Sequence, residues 1–460
     1  MKMRKIDHNT KILAVLFTGV LMGALDISIV GPALPSIEET IKIDQRLIGW
    51  IFSIYVLFNL MGISLFAKLS DLYGRRRIYI ISVLIFALGS LWVSLAHSFE
   101  MILVGRAIQG FGSSGIFPVA SATVGDVFPP EKRGRVLGLI GMVFGVAFII
   151  GPILAGSLLS FFSWNSLFII NIPISLLVIL AAIKYLPNER IVSEKKIDWL
   201  GIALLASLLS SFAFGLNQID EKNIYISITN PMVYGFMALS ILLFPWFIYT
   251  EKRAISPILK VNMFYNRQIR LVGLIAFGTG LIQASFVFFP AYAVNAFAVA
   301  VSTASFMLVP IVLATAIGSP IFGRMLDHYG SRLIILIGIF LMVMGFLLIS
   351  IYIDSKIIFY IAGLFIGLGL SVLSGSSLRY IMLNEVNAAD RALTQGMVTI
   401  FTSVGQLTGG AFIGMLLVNA NHLEAFSRLF LILAITNIIM FILSFRLKSR
   451  RVEQETYVKK

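Results

Sequence analysis

Apolar runs of about twenty residues, broken by short polar stretches, recur along the whole chain, and a helix of that length spans the hydrocarbon core of a bilayer. The pattern predicts spans near 12–34, 47–67, 78–96, 101–126, 136–160, 165–186, 199–217, 231–249, 270–292, 302–323, 333–352, 357–378, 394–417 and 428–446. The longest connections, at 187–197, 217–230 and 250–269, are too short to fold alone. The expected fold is an all-α integral membrane protein of 14 transmembrane helices. Fourteen is even, so both termini are expected on one face. Met1–Lys11 is basic and leads into a run that continues to Gly31-Pro32-Ala33-Leu34-Pro35. That run is longer than a signal-peptide core and is read as a retained first helix.

Composition agrees with a lipid solvent and removes several chemistries. Of 460 residues, 58% are hydrophobic and 13% charged; soluble domains carry about 25% charged residues. The absence of cysteine excludes disulfides, thiolate zinc sites, thiol catalysis and cysteine-ligated clusters. His8, His97, His328 and His422 lie at segment ends or in connections, which argues against a metal centre. No GxxxxGK[ST] loop and no HExxH helix is present. With no nucleophile–base pair visible near the spans, neither an enzyme nor a cofactor is expected.

The net charge of +14 is distributed by topology. With the N-terminus inside, 30 of the 36 Lys and Arg fall in inner segments and five in outer ones; Arg106 remains within a span. By the positive-inside rule both termini are cytoplasmic, in a cell membrane, and the basic charge is no footprint of nucleic acid.

An internal repeat divides the chain. Ala67-Lys68-Leu69-Ser70-Asp71-Leu72-Tyr73-Gly74-Arg75-Arg76-Arg77 follows the second span, and Gly323-Arg324-Met325-Leu326-Asp327-His328-Tyr329-Gly330-Ser331-Arg332 follows the tenth. Asp71 and Gly74 correspond to Asp327 and Gly330 at an offset of 256, and Gly110 and Gly112 to Gly367 and Gly369 at 257. The chain is read as a six-helix half (1–186), an inserted pair of helices with linkers (187–269) and a second six-helix half with a tail (270–460). Such repeats build many transporters, with the binding site between halves; a channel or scaffold could share the plan.

Few charges enter the spans. Asp26 lies about 21 Å from the inner end of its span and Arg106 about 8 Å from the outer end of its own, so the two reach similar depth. A lone charge there is costly, so a partner or a wet cavity is expected. Either Asp26 couples a proton to transport, with Arg106 favouring its ionised form, or the two form a static lock between helices. Asp126, at a span end, is explained by interfacial solvation. Asp71 suggests an acid that caps or pairs with a neighbouring helix end when the inner side is closed. Gly141, Gly145, Ala147, Gly151 and Ala155 in the fifth span, and Gly405, Gly409, Gly410 and Gly414 in the thirteenth, form small-residue stripes for close helix contact.

These residues resemble the major facilitator superfamily, in particular its 14-helix drug:proton antiporters, over essentially the whole length. Leu25-Asp26, Ile29-Val30 and Ala33-Leu34-Pro35 resemble the first-helix motif, and Trp50 and Tyr55 the aromatic pair of the second helix. The 67–77 loop is similar to the cytoplasmic loop motif, departing at Ala67 and Leu72. Arg106-Ala107-Ile108-Gln109-Gly110-Phe111-Gly112 resembles the fourth-helix motif. Gly138, Gly151-Pro152 and Gly156 resemble the fifth-helix antiporter motif, and Trp164, Phe168, Asn171 and Pro173 the start of the sixth helix. The resemblance implies proton coupling at Asp26 and Arg106, and a cytoplasmic gate around Asp71, Gly74, Arg75, Arg76, Asp327 and Gly330. It also implies export of cationic or zwitterionic amphipathic compounds against protons. Asn59, Gln109, Gln283 and Gln406 are candidates for the substrate cavity, and a monomer surrounded by lipid is expected. A narrow-substrate exporter and a non-transporting sensor or scaffold are the competing readings.

Overall fold

The computed structural model describes residues 2–42, 50–188, 198–219, 226–227, 229–254, 257, 261–299, 301–418 and 422–458, among which the chain is helical, with no strand. A first group holds α1 (Lys2–Ile41), α2 (Trp50–Tyr73), α3 (Arg75–Ser94), α4 (Phe99–Val127), α5 (Pro130–Leu159), α6 (Ser166–Ile169) and α7 (Asn171–Tyr185). A pair follows, α8 (Trp199–Asn217) and α9 (Pro231–Arg253). The second group holds α10 (Arg267–Ser285), α11 (Phe289–Phe297), α12 (Val301–Phe306), α13 (Val309–Tyr329), α14 (Ser331–Ile351), α15 (Lys356–Leu370), α16 (Ser377–Glu385), α17 (Arg391–Val418) and α18 (His422–Ser444), before a short tail helix, α19 (Arg450–Val458).

Taking α6 with α7 and α15 with α16 as continuous, ten described helices are long and apolar enough to cross a membrane. The helices α4, α5, α10 and α17 lie where spans four, five, nine and thirteen were expected. Buried Gly105, Gly110, Gly112, Ser113 and Ser114 on α4, and Gly273, Gly278, Thr279 and Gly280 on α10, lower their hydropathy. These two helices face other helices more than lipid.

Three expected spans depart in course from a single helix of the expected length, each for a local reason. The ninth and tenth spans are interrupted before Pro290 and Pro310, where the missing N–H and the ring break the helical ladder. The twelfth runs on to Glu385 through a π-helical segment, Ser371–Ser376. Its last turns are polar yet buried, which concealed them from a hydropathy reading.

The repeat is legible in the packing. A side chain at Gly110 would run into the Tyr55 carbonyl of α2, and one at Gly112 into α3 at Phe86. The counterparts behave alike: Gly367 abuts the Ile311 carbonyl of α13, and Gly369 abuts Gly338 and Met342 of α14. Likewise α2 joins α3 through Gly74 alone, at φ 93°, and α13 joins α14 through Gly330 alone, at φ 83°. Both angles lie in the region that L side chains avoid, so each one-residue corner requires glycine. The inserted α8 packs against α2 and α17, one helix from each group.

The tail helix is anchored by a buried acid. Glu453, 7% exposed, accepts from the Ser331 amide at 3.2 Å and from the Ser331 hydroxyl, at the start of α14. Burial raises its pKa above the usual carboxylate value, with Glu385 adding to the rise and Ser331 opposing it. The docked helix therefore holds its proton more tightly than the released one, and docking is strongest at low pH and weakens as pH rises through the raised pKa. Limited proteolysis at the tail should speed up over that interval, and Glu453→Gln should flatten the dependence. A second prediction concerns the corners. Gly330→Ala, at a strained φ and against Arg450, should cost about 1–3 kcal/mol. Gly156→Ala, with open space around the added methyl, should gain up to about 1 kcal/mol by helix propensity. Thermal unfolding in detergent reads both.

Candidate functional site

Asp26 on α1 and Arg106 on α4 meet inside the first group, both fully buried. Arg106 Nη1 donates to Asp26 Oδ2 at 2.7 Å and to Gln109 Oε1 at 2.8 Å, and Nε donates to the Ile51 carbonyl at 3.2 Å. The other Asp26 oxygen accepts from Gln109 at 3.1 Å and from Asn171 of α7 at 2.9 Å. Gln109 also donates to Ser90 of α3 at 2.7 Å. The Tyr55 ring lies 4.3 Å from the guanidinium carbon and that of Phe168 5.9 Å. Helical spacing puts Arg106 and Gln109 on one face of α4, one turn apart, so a single helix supplies the cation and the amide. The result is one buried acid that accepts from three donors, one of them the Arg106 guanidinium. Arg106 Nη2 has no hydrogen-bond partner among the described residues. Sequence reasoning paired the two charges by depth. It placed Gln109 with the cavity residues, and it missed Ser90 and the role of Asn171, a lone amide opening a span.

A second charged cluster lies at the end of the bundle that carries both termini. Arg75 pairs with Asp71 and donates to Asp126 at 2.8 Å; Arg391 on α17 donates to Asp126 at 2.7 Å and to the Gly125 carbonyl at 2.7 Å. Arg75 also reaches the Ala388 carbonyl at 3.2 Å. The loop acids act reciprocally across the two groups. Asp71 accepts from the Leu393 amide near the start of α17 at 3.4 Å, and Asp327 accepts from the Gly134 and Arg135 amides near the start of α5 at 2.9 Å each. Helix N-termini carry partial positive charge, so each acid sits at a favourable helix end. Arg76 is only half-buried. Asp126, assigned to interfacial solvation from sequence, bridges arginines of both groups; nothing in its local sequence marked Arg391 as its partner.

The glycines of α5 divide by direction. Gly138 packs on Ser319 and Gly323 of α13, Gly141 on Gly375, and Gly145 on Ala316. Gly151 instead packs on Ser28 of α1, whose hydroxyl donates to the Ala147 carbonyl at 2.9 Å. Gly156 has open space, and the Pro152 side chain lies outside the described residues. On α17, Gly405 and Gly409 pack on α10, the first long helix of their own group, as Gly151 does on α1. The fifth-span stripe is thus split: Gly151, like Gly405 and Gly409 on α17, packs within its own group, while Gly141 and Gly145, with Gly138, carry the contact between groups.

Of the cavity candidates, Asn59 is half-buried and donates to Ser113 at 2.7 Å. Gln283 donates to Ser374 at 2.6 Å and accepts from Gln406, itself exposed, at 2.6 Å. One residue lies far from its expected setting. Arg379, counted with a polar connection, is buried on α16, with its guanidinium 3.9 Å from the Phe117 ring.

Two groups of helices with matching glycine corners, a charge pair sealed inside one of them and a charged cluster joining both at one end suit a membrane transporter. The chain belongs to the Major Facilitator Superfamily, whose profile matches residues 16–281 and 271–459. It is 29% identical over 413 residues to Multidrug resistance protein 3 of Bacillus subtilis (strain 168), covering 88% of this chain and 78% of that one. It is 27% identical over 323 residues to the riboflavin transporter RibZ of Clostridioides difficile (strain 630), covering 70% and 69%. The fold is shared with the human organic anion transporter MFSD10 (TETRAN), at a TM-score of 0.73 and 17% identity, over 95% of this chain and 99% of that one.

The ion pair predicts a stability signature. Asp26→Asn strands Arg106 and should cost about 3–5 kcal/mol. Adding Arg106→Gln should recover part of that loss, because the uncompensated charge is removed. Thermal unfolding of the single and double variants in detergent checks this, and additive losses would contradict it.

Proposed function

We propose that this protein is a secondary active exporter of amphipathic compounds, driven by protons through alternating access, in a cell membrane with both termini cytoplasmic. The carrying observation is the Asp26–Arg106 pair, an acid and a base with no contact to water in a chain of transporter family. Protonating Asp26 removes the negative half of the pair, so proton uptake and the packing of α1 against α4 become linked. In the closed-gate arrangement the acid is paired with Arg106 and sealed. Parting of α1 and α4 admits a proton from outside, and return of the proton to the cytoplasm accompanies loading of substrate. One charge crossing 100 mV supplies roughly 2.3 kcal/mol, enough for nearly fiftyfold accumulation.

In this cycle the cluster of Asp71, Arg75, Asp126, Asp327 and Arg391 is the cytoplasmic gate, and Gly74 and Gly330 are its fixed corners. The halves 1–186 and 270–460 are the moving bodies, with α8 and α9 between them. Asn59, Gln283 and Gln406 line the path of the substrate. Kinship with a multidrug resistance protein supports a broad substrate range. Kinship with a riboflavin transporter supports a second reading, a carrier for one heteroaromatic compound.

Proteoliposomes of known orientation, under an imposed pH gradient and challenged with lipophilic cations and common antibiotics, test the proposal. Wild type should release protons on addition of substrate, and Asp26→Asn should not. Asp71→Asn combined with Asp327→Asn should leave Asp26 in place but increase labelling of a single cysteine introduced at Ser319, facing α5 behind the gate. A coupled Asp26→Asn variant would move the proton site elsewhere, and a wild type silent to the whole panel would favour the single-substrate carrier.

A further inference from the structure

Among the charges drawn into the bundle, Arg379 is held by weak contacts. Arg75, Arg106 and Arg391 each contact a carboxylate. Arg379 is 6% exposed, and no described carboxylate lies within ion-pair distance. Its nitrogens reach only neutral groups: the Gln395 carbonyl at 3.3 Å, Gln395 Oε1 at 3.5 Å and the Thr399 hydroxyl at 3.0 Å. The first two contacts are long for a guanidinium, which forms its strong bonds at about 2.7–2.9 Å with anionic oxygens.

The placement matters as much as the charge. Thr399 lies eight residues from Arg391 on α17, about 12 Å along the axis, and Phe117 lies nine residues from Asp126 on α4, about 13 Å. Arg379 therefore sits roughly two turns inward of the gate, where α16 and α17 of one group meet α4 of the other. Phe117 packs edge-to-face on Phe144 of α5 at 5.1 Å, and both rings, like Thr399, are only half-buried. A cation with spare donor capacity thus adjoins two aromatic rings that are not fully covered, directly behind the closed gate.

We propose that Arg379 is the subsite for an anionic group on the transported compound, with Phe117 and Phe144 receiving its aromatic body. Resting on the exporter reading above, this narrows the substrate class to aromatic amphipaths that carry a carboxylate, whether organic anions or zwitterions. The substrate's carboxylate replaces the weak contacts to Gln395 and forms the bidentate pair that a guanidinium favours. Because Arg379 and Phe117 belong to different groups, such a compound touches both at once and is held where the gate would part.

The test is binding in detergent, which requires no proton movement. Norfloxacin and 2-naphthoate are each compared with their ethyl esters by calorimetry on wild type, Arg379→Gln and Arg379→Lys. Wild type should bind the carboxylates and discriminate against the esters. Arg379→Gln should lose about ten- to a hundredfold in carboxylate affinity with little change for the esters, and Arg379→Lys should restore part of it. Unliganded Arg379→Gln should melt no lower than wild type, since the uncompensated charge is gone; a purely structural arginine would give the opposite. Equal losses for acid and ester, no change in Arg379→Gln, or a wild type that binds neither carboxylate overturns the proposal. Carboxylate binding without proton release in liposomes would uphold this subsite and sink the exporter reading. Proton release driven by lipophilic cations alone would do the reverse.

Discussion

A charge withdrawn from water into a lipid-embedded bundle has to be neutralised by its neighbours, and the first half of this structure is arranged around that requirement. Asp26 and Arg106 come from different helices and neutralise each other only if α1 and α4 hold a fixed register. Ser90 on α3 and Asn171 on α7 extend the same network to two further helices. Four helices of one group are therefore tied to the ionisation state of a single carboxylate.

The packing between helices is set by a different device. Where glycine meets a backbone carbonyl, as Gly110 meets Tyr55, two helices approach closely and resist sliding. The same device acts across the groups: Gly138 meets the Ser319 carbonyl, Gly323 meets the Gly134 carbonyl, and Gly141 meets Gly375, so α5 and α13 also approach closely.

Much of this could be read from sequence because lipid makes strong demands. Hydropathy located most of the long helices, and the offset of 256 between Asp71 and Asp327 exposed the repeat. The pairing of Asp26 with Arg106 followed from equal depth. Contacts between distant segments carried no such signal. Arg391 on Asp126 joins residues 265 apart, and no local pattern announces it. Arg379 was misplaced because hydropathy treats an arginine as the end of a span, whereas here helix and burial continue past it to Glu385. The division of labour among the α5 glycines was likewise hidden, since spacing shows a stripe but not which neighbour it faces.

The reciprocal loop acids carry a kinetic consequence. Asp71 reaches from the first group to α17, and Asp327 reaches from the second group to α5, so with Arg391 on Asp126 this end is held by several separate attachments joining the same two bodies. Such a joint behaves as a multivalent complex. When one attachment lets go, the others keep its partners at high effective concentration, and rebinding outruns separation. Brief single ruptures therefore leave the two bodies joined, and they part here only when all the attachments release together.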